Sequence, residues 1–189
     1  MVRRRPSTLT AARVGDRKAL ATLWRTYHAP LLRYLRSRRV PSPDDVASQV
    51  WIDVATSIGR FEGSDDDFRR WLFTIAHRRS VDQIRKAVRA SAPCSTFAVR
   101  AADHAAGADT DAEDHDALDR ALALVATLPE SQAEAVVLRV VNDMSIVDVA
   151  SVMGISEANV RVLVHRGLTR LRRKLSVTDA GAATMKRVP

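Results

Sequence analysis

Cysteine is almost absent from this chain of 189 residues: the single Cys94 excludes an intramolecular disulfide and suits a reducing compartment. Seven glycines and seven prolines are too few for a broadly disordered or collagen-like chain, and aromatic residues reach only 5%. No stretch approaches the ~20 uninterrupted apolar residues that span a bilayer. The arginines of the N-terminal MVRRRPSTLTAARVGDR are followed by no apolar run of the kind a secretory signal carries. These absences predict no membrane insertion and a cytoplasmic location. A Gly-rich phosphate loop and a C-x-x-C pair are also missing. Cys94, His104 and His115 fall too far apart to make a zinc site. The expectation is a protein that is not an enzyme and carries no cofactor and no metal.

Positive charge is abundant. The net charge is +8 with a pI near 10.7, which favours an anionic partner. Its distribution says more than its sum. From Arg3 to Arg39 the only acid is Asp16, among eleven basic residues, whereas from Asp44 to Asp67 Arg60 is the only base among seven acids. Arg69, Arg70, Arg78, Arg79, Arg85, Lys86 and Arg89 then face a lone Asp82, Asp103 to Asp119 is acidic again, and the chain from Arg161 onward is strongly basic. Separate basic blocks with acidic surface between them suggest two nucleic-acid contacts.

The apolar pattern is helical throughout, with no alternating run long enough for a strand and no internal repeat. Leu20, Leu23, Trp24, Tyr27, Leu31, Tyr34 and Leu35 recur with a period near 3.6, although Pro30 is expected to break or kink that run. Ser42-Pro43-Asp44-Asp45 reads as a helix start: a serine cap, proline at the first helical position, and acids on the positive helix end. Val46, Ala47, Val50, Trp51, Val54, Ala55 and Ile58 form the stripe that follows, with Gly59 at its end. A loop, RFEGSDDD, leads to a third helix from about Phe68 to Ala90. These elements predict an all-α fold of two small helical domains. The first covers 14–90, a flexible linker rich in Ala, Ser, Gly and Asp covers 91–112, the second domain covers 113–175, and a short basic tail covers 176–189.

The second domain opens on Leu118, Leu122, Val125 and Leu128, then passes Pro129 to a helix carrying Ala133, Val136, Val137 and Val140. Its most informative stretch is SIVDVASVMGISEANVRVLVHRGLTRLRRKL, from Ser145 to Leu175. Ile146, Val149, Ala150 and Met153 share one helical face, Gly154 can take the positive φ that stops the helix, and Ser156 can cap the next. Val160, Leu163, Val164, Leu168, Leu171 and Leu175 make a stripe with Arg161, Arg166, Arg170, Arg172, Arg173 and Lys174 largely off it. A short helix, a glycine turn and a basic second helix form the layout of a helix-turn-helix that reads DNA in the major groove.

Four phrases in order extend this. Pro43-Asp44-Asp45-Val46-Ala47-Ser48-Gln49-Val50-Trp51 is followed by Trp71-Leu72, Ile75-Ala76, Asp82 and Arg85. Leu128-Pro129 with Glu134 is followed by Met144-Ser145, Asp148-Val149-Ala150, Gly154-Ile155-Ser156, Val160-Arg161 and Arg166. Together they resemble the group IV, or extracytoplasmic function (ECF), sigma factors of bacterial RNA polymerase, with region 2 in the first domain and region 4 in the second. The chain departs from that pattern at several places. Arg78 stands in place of Asn, Ala133 in place of Arg, Asp143 in place of Gly and Gly167 in place of Ala, and Val162-Leu163 replaces Ser-Arg. Losing arginine at 133 and 163 would remove phosphate contacts and flatten the salt dependence of DNA binding.

The resemblance implies an alternative sigma factor that binds core RNA polymerase and directs promoter recognition, DNA melting and transcription initiation. The implied partners are the clamp helices of the largest polymerase subunit, the flap of the second-largest, promoter DNA and an anti-sigma factor. It implies that Asp45, Ser48, Gln49 and Ile52 dock on core polymerase. At the −10 element it implies Arg60, Phe61, His77, Arg78, Arg79 and Arg85, with Phe61 a wall of the pocket for a flipped base. Trp71 matches a packing position rather than a stacking platform. At the −35 element the candidates are Glu157, Asn159, Arg161, Val162, His165 and Arg166: Arg suits guanine, Asn suits adenine, and Val offers apolar contact alone. Two alternatives remain, a helix-turn-helix regulator that is not a polymerase subunit and a sigma-like protein that does not initiate. A sensing domain would have no reason to carry the Trp71–Arg85 phrase.

Overall fold

A computed structural model describes residues 7–90 and 120–185, with side chains to Ser176. Among the described residues the elements are helical, with residues 120–125 helical and the helices of printed bounds being α1 (Thr8–Arg13), α2 (Arg17–Ser37), α3 (Pro43–Ser57), α4 (Asp65–Ala90), α5 (Glu130–Val136), α6 (Ile146–Met153) and α7 (Glu157–Met185). A 3-10 turn (Ile58–Arg60) follows α3, and a π turn (Val137–Val141) follows α5. The expected linker at 91–112, Cys94, His104, His115 and the start of the second domain lie outside the described residues.

The N-terminal bundle follows its sequence pattern. Leu23, Leu31, Tyr34 and Leu35 of α2 meet Val46, Ala47, Val50 and Val54 of α3 and Phe68, Leu72, Phe73 and Ala76 of α4, all buried. Full burial of each large side chain is worth about 1.5–3 kcal/mol. Two local readings need correction. The helix does not end at Pro30: α2 runs through it for 21 residues, because its apolar face is buried on both sides of the proline. Ser42 occupies the cap position of α3 but makes no capping hydrogen bond; its backbone is left-handed, at φ 51° and ψ 63°. Proline at the first position has already removed one of the N–H groups that a cap would satisfy.

α1 was not expected. Six residues are too few to show a period, yet it buries Leu9 and Ala12 in the same core, capped by Ser7 Oγ on Thr10 N. The start of α4 has a capping box: Ser64 Oγ accepts from Asp67 N at 3.3 Å, and Asp67 Oδ2 accepts from Ser64 N at 2.9 Å.

In the C-terminal unit, Ser145 Oγ accepts from Asp148 N at 3.0 Å at the start of α6, and Gly154 closes that helix at φ 65°. Ser156 Oγ then accepts from Asn159 N at 3.3 Å to start α7. Asp143 sits at φ 46°, in the left-handed region, which accounts for glycine at this position in the sigma pattern. Gly167 is buried where α7 crosses α5: a Cβ there would stand 2.7 Å from Val136 Cγ2 and 3.5 Å from the Gln132 carbonyl oxygen. Glycine at 167 therefore records a close helix crossing.

Candidate nucleic-acid interface

Three separate surfaces carry the residues expected to act, and a fourth cluster joins the two helical units. On α3, Asp45, Ser48, Gln49 and Ile52 recur at intervals of three, one and three, and all four are exposed, Ile52 at 55%. The neighbouring Asp53 accepts from Gln49 Nε2 at 3.5 Å and takes a bidentate pair from Arg79 of α4, with Nε–Oδ2 and Nη2–Oδ1 both 2.6 Å. The hydrogen bond from Arg79 holds the Asp53 carboxyl below its usual pKa, and the same bond raises that of Arg79. Arg79 thus clamps α3 to α4.

Beside that clamp lies a cleft of about 390 Å³ bounded by Trp71, Ile75, Arg78 and Arg79. Phe61 does not line this cleft; it packs on Trp71, 4.9 Å away, and on Phe68, 5.9 Å away between ring centroids. Arg13 of α1 covers the far face of Phe61 at 5.3 Å and donates from Nη2 to the Gly63 carbonyl at 2.8 Å. Arg13 is a supporting residue of this loop that the sequence reading missed, since nothing local links position 13 to position 61. Arg60, Arg78 and Arg85 are exposed, and Trp71 is half-buried against the aromatic cluster.

The helix-turn-helix presents α7 outward. Asn159, Arg161, Val162, His165 and Arg166 are exposed on it, while Val160 is fully buried. Glu157 Oε2 accepts from Arg161 Nη2 at 2.9 Å, so the candidate base-reading arginine is oriented along the helix surface. Arg170 and Lys174 reach back to α7's own unit, donating to Gln132 Oε1 at 3.2 Å and Thr127 Oγ1 at 2.6 Å. Ala133 is 1% exposed, so no phosphate can reach that position in this arrangement, and the contact expected to be lost there does not arise.

The fourth cluster centres on Glu134 of α5, with its side chain 4% exposed. Its Oε1 accepts from Tyr34 Oη at 2.6 Å and lies 2.7 Å from His77 Nδ1. Its Oε2 accepts from Nη1 of Arg38, itself 4% exposed, and Arg38 Nη2 also donates to Glu130 Oε1 at 2.9 Å. An ionised carboxylate only accepts, so Nδ1 of His77 carries the proton facing it. Burial alone would raise the pKa of Glu134, but the bond from His77 and the Arg38 charge outweigh it and leave the carboxyl below its ordinary value of 4.5. Burial and the Glu134 charge push the Tyr34 phenol well above its usual value. Further bonds run from Arg70 Nη1 to Asp148 Oδ1 at 3.1 Å, from Arg69 Nη1 to the Asn142 carbonyl at 3.3 Å, and from Arg39 to the Ala126 carbonyl. His77, expected along the −10 strand, therefore faces the other helical unit here.

Comparison with known proteins bears on this arrangement of three surfaces. Residues 23–90 match the family model described as Sigma-70 region 2, and residues 118–171 match Sigma-70, region 4. The ECF RNA polymerase sigma factor SigD of Mycobacterium tuberculosis is 33% identical over 174 residues, covering 88% of this chain and 81% of that protein. The chain is an ECF sigma factor. Another ECF sigma factor, ShbA of Streptomyces griseus, is 32% identical over 169 residues, covering 84% of this sigma factor and 88% of the relative. The solved structure of CnrH in complex with the cytosolic domain of CnrY shares the sigma factor's fold, with a TM-score of 0.62 at 22% identity, over 90% of this chain and 96% of that one. No helix among the described residues of the sigma factor is long and apolar enough to cross a membrane.

Proposed function

We propose that this sigma factor binds core RNA polymerase and acts on promoter DNA without catalytic chemistry of its own, in the cytoplasm. Region 2, taken as 14–90, docks on polymerase clamp helices through Asp45, Ser48, Gln49 and Ile52 of α3. The observation that carries this reading is that these side chains stand exposed together, with apolar Ile52 at 55% among polar neighbours, on a helix whose opposite face is core. A partly apolar patch of that kind on a rigid helix suits a protein partner.

Melted DNA of the −10 element runs along α4. The cleft beside Trp71 and Phe61 takes a flipped base, Arg60, Arg78 and Arg85 hold phosphates, and Arg79 keeps the floor in place through Asp53. His77 joins that strand only when it leaves Glu134. Region 4, taken as 113–175, sets α7 in the major groove at the −35 element, with Asn159, Arg161, Val162, His165 and Arg166 at base edges and Glu157 positioning Arg161. Residues 91–112 serve as the linker and 176–189 as a basic tail. The flap of the second-largest subunit and an anti-sigma factor are the further partners.

Run-off transcription with purified core polymerase on fragments of the source genome tests the whole reading. Discrete start sites with two shared upstream elements are the expected result. Core binding without transcripts would replace it with a non-initiating sigma-like protein, and DNA binding without core binding with a plain regulator.

A further inference from the structure

The loop between α3 and α4 is held from outside the two helices it joins. α1 is anchored by Leu9 and Ala12, both in the core, and it delivers Arg13 to that loop. The Arg13 guanidinium lies over the Phe61 ring, with Cζ 5.3 Å from the centroid, and Nη2 donates to the Gly63 carbonyl at 2.8 Å. Its Nε is buried and has no hydrogen-bond partner among the described residues, so the Gly63 carbonyl and the face of Phe61 hold the group. The backbones also approach closely: a Cβ at Gly59 would stand 3.5 Å from the Arg13 carbonyl oxygen. Residues matching the region 2 family model begin at 23, so this support lies ahead of the matched segment.

Arg13 reaches the cleft on α4 through two rings. Phe61 packs on Trp71 at 4.9 Å with 32° between ring planes, and it meets Phe68 edge-on at 5.9 Å and 84°. Trp71 in turn bounds the cleft, together with Ile75, Arg78 and Arg79. Gly63, whose carbonyl Arg13 binds, is equally confined. A Cβ on it would fall 2.7 Å from Asp67 Cβ and 3.0 Å from Phe61 Cζ. Gly63 therefore joins Phe61 to the Ser64–Asp67 capping box with no room for a side chain. One cation fixes a ring and a carbonyl of the short segment between Arg60 and Asp65.

We propose that Arg13 is a positioning residue for −10 recognition: it holds Phe61 and Gly63, and through Phe61 the Trp71 wall, in the arrangement that receives a flipped base. The proposal rests on the reading of region 2 as the −10 reader for its consequence, but not for the clamp itself. Flipping a base costs unstacking energy, and a loop that had also to be ordered at that moment would bind the base more weakly. A loop in its receptive form for only about a tenth of the time would capture the base about tenfold more weakly. Arg13 itself touches no base; its effect passes through Phe61 and Trp71.

The test uses the full-length chain with Arg13→Met, which keeps an unbranched stem without charge or donor, and Arg13→Lys, which keeps a cation for the face of Phe61. In the free protein, Phe61 N donates to the Ile58 carbonyl and Ser64 N to Asp67 Oδ2. Hydrogen exchange at these two amides should quicken roughly tenfold or more in Arg13→Met and by less than roughly threefold in Arg13→Lys, with Val50 and Val54 of α3 unchanged. Holoenzyme assembled with core polymerase is then offered fork-junction DNA randomised over a single-stranded −10 element. Arg13→Met should lower the preference for the favoured base at one position about tenfold, with the other positions and core affinity as in the parent. Arg13→Lys should restore most of that preference. Unchanged exchange in the loop would overturn the proposal, and so would exchange that quickens equally in α3, which would make Arg13 a support of the whole bundle. A base preference unchanged in Arg13→Met, or lost evenly over all −10 positions, would overturn it too. Faster loop exchange in a chain whose parent holoenzyme selects no −10 base would retain the clamp and overturn its −10 role together with that reading.

Discussion

Gly167→Ala sets two effects of known size against each other. In an exposed helix interior, alanine is favoured over glycine by about 1 kcal/mol. Here the new methyl would stand 2.7 Å from Val136 Cγ2, with the Gln132 carbonyl and Leu128 Cδ1 both at 3.5 Å. Ordinary carbon contacts lie at about 3.5–4.0 Å, so the overlap is close to 1 Å. Val136 cannot turn away: it is 2% exposed, and a valine in a helix is held in one rotamer. Relief must come from parting α5 and α7, and overpacking of this kind costs about 1–3 kcal/mol. The net expectation is destabilisation by about 1 kcal/mol, or roughly 2–4 °C in Tm for a chain of this size. Urea unfolding should show a lower midpoint with an unchanged slope. In a Val136→Ala background the methyl finds room, and the same substitution should become neutral or stabilising, a coupling of about 1–2 kcal/mol. A stabilisation near 1 kcal/mol from Gly167→Ala alone would mean that helix propensity rules and the crossing is not tight.

Asp143→Ala should cost about 1 kcal/mol in chemical unfolding, because alanine tolerates the left-handed backbone poorly, whereas Asp143→Gly should stay within about 0.5 kcal/mol of the parent. Equal effects of the two would show that φ at 143 is not the constraint. Arg161→Ala should weaken specific promoter binding by about 1–3 kcal/mol and relax one base position of the −35 element, read from a selection on randomised sites. An unchanged sequence preference would remove Arg161 from the base contacts. Glu134, with its closed-state pKa below the ordinary 4.5, contributes closure above that value and loses it as pH falls through the depressed one. Small-angle scattering should therefore show the units packed together down to about pH 4.5 and parting only below it, and parting between pH 5 and 7 would contradict the depressed value.

Arg13 and Phe61 mark the boundary between what was and was not legible. Phe61 was named only through the family resemblance, in the loop before α4, and its cover comes from a six-residue helix with no periodicity of its own. Trp24 marks a second limit: it sits on the apolar period of α2 and is nonetheless 46% exposed, because a period defines a face and not how far the neighbouring helix covers it. Of the break or kink expected at Pro30, the break does not occur, because the apolar face is buried on both sides. Glu134 shows the largest gap. In the sequence it is one acid of an LP phrase, and the side chains that bond to it, Tyr34, Arg38 and His77, lie far away along the chain.

Local information therefore determined most of the helices, the stop at Gly154 and the cap at Ser156, the core stripes, and which face of α7 stays exposed. Each follows from spacing within one or two turns and from the backbone preference of single residues. Tertiary structure alone decided that Asp53 clamps Arg79, that glycine at 167 is a crossing point, and that the two units close on a buried carboxylate. Those outcomes depend on which surfaces meet, and a side chain's charge is stabilised or penalised only by the groups that end up around it.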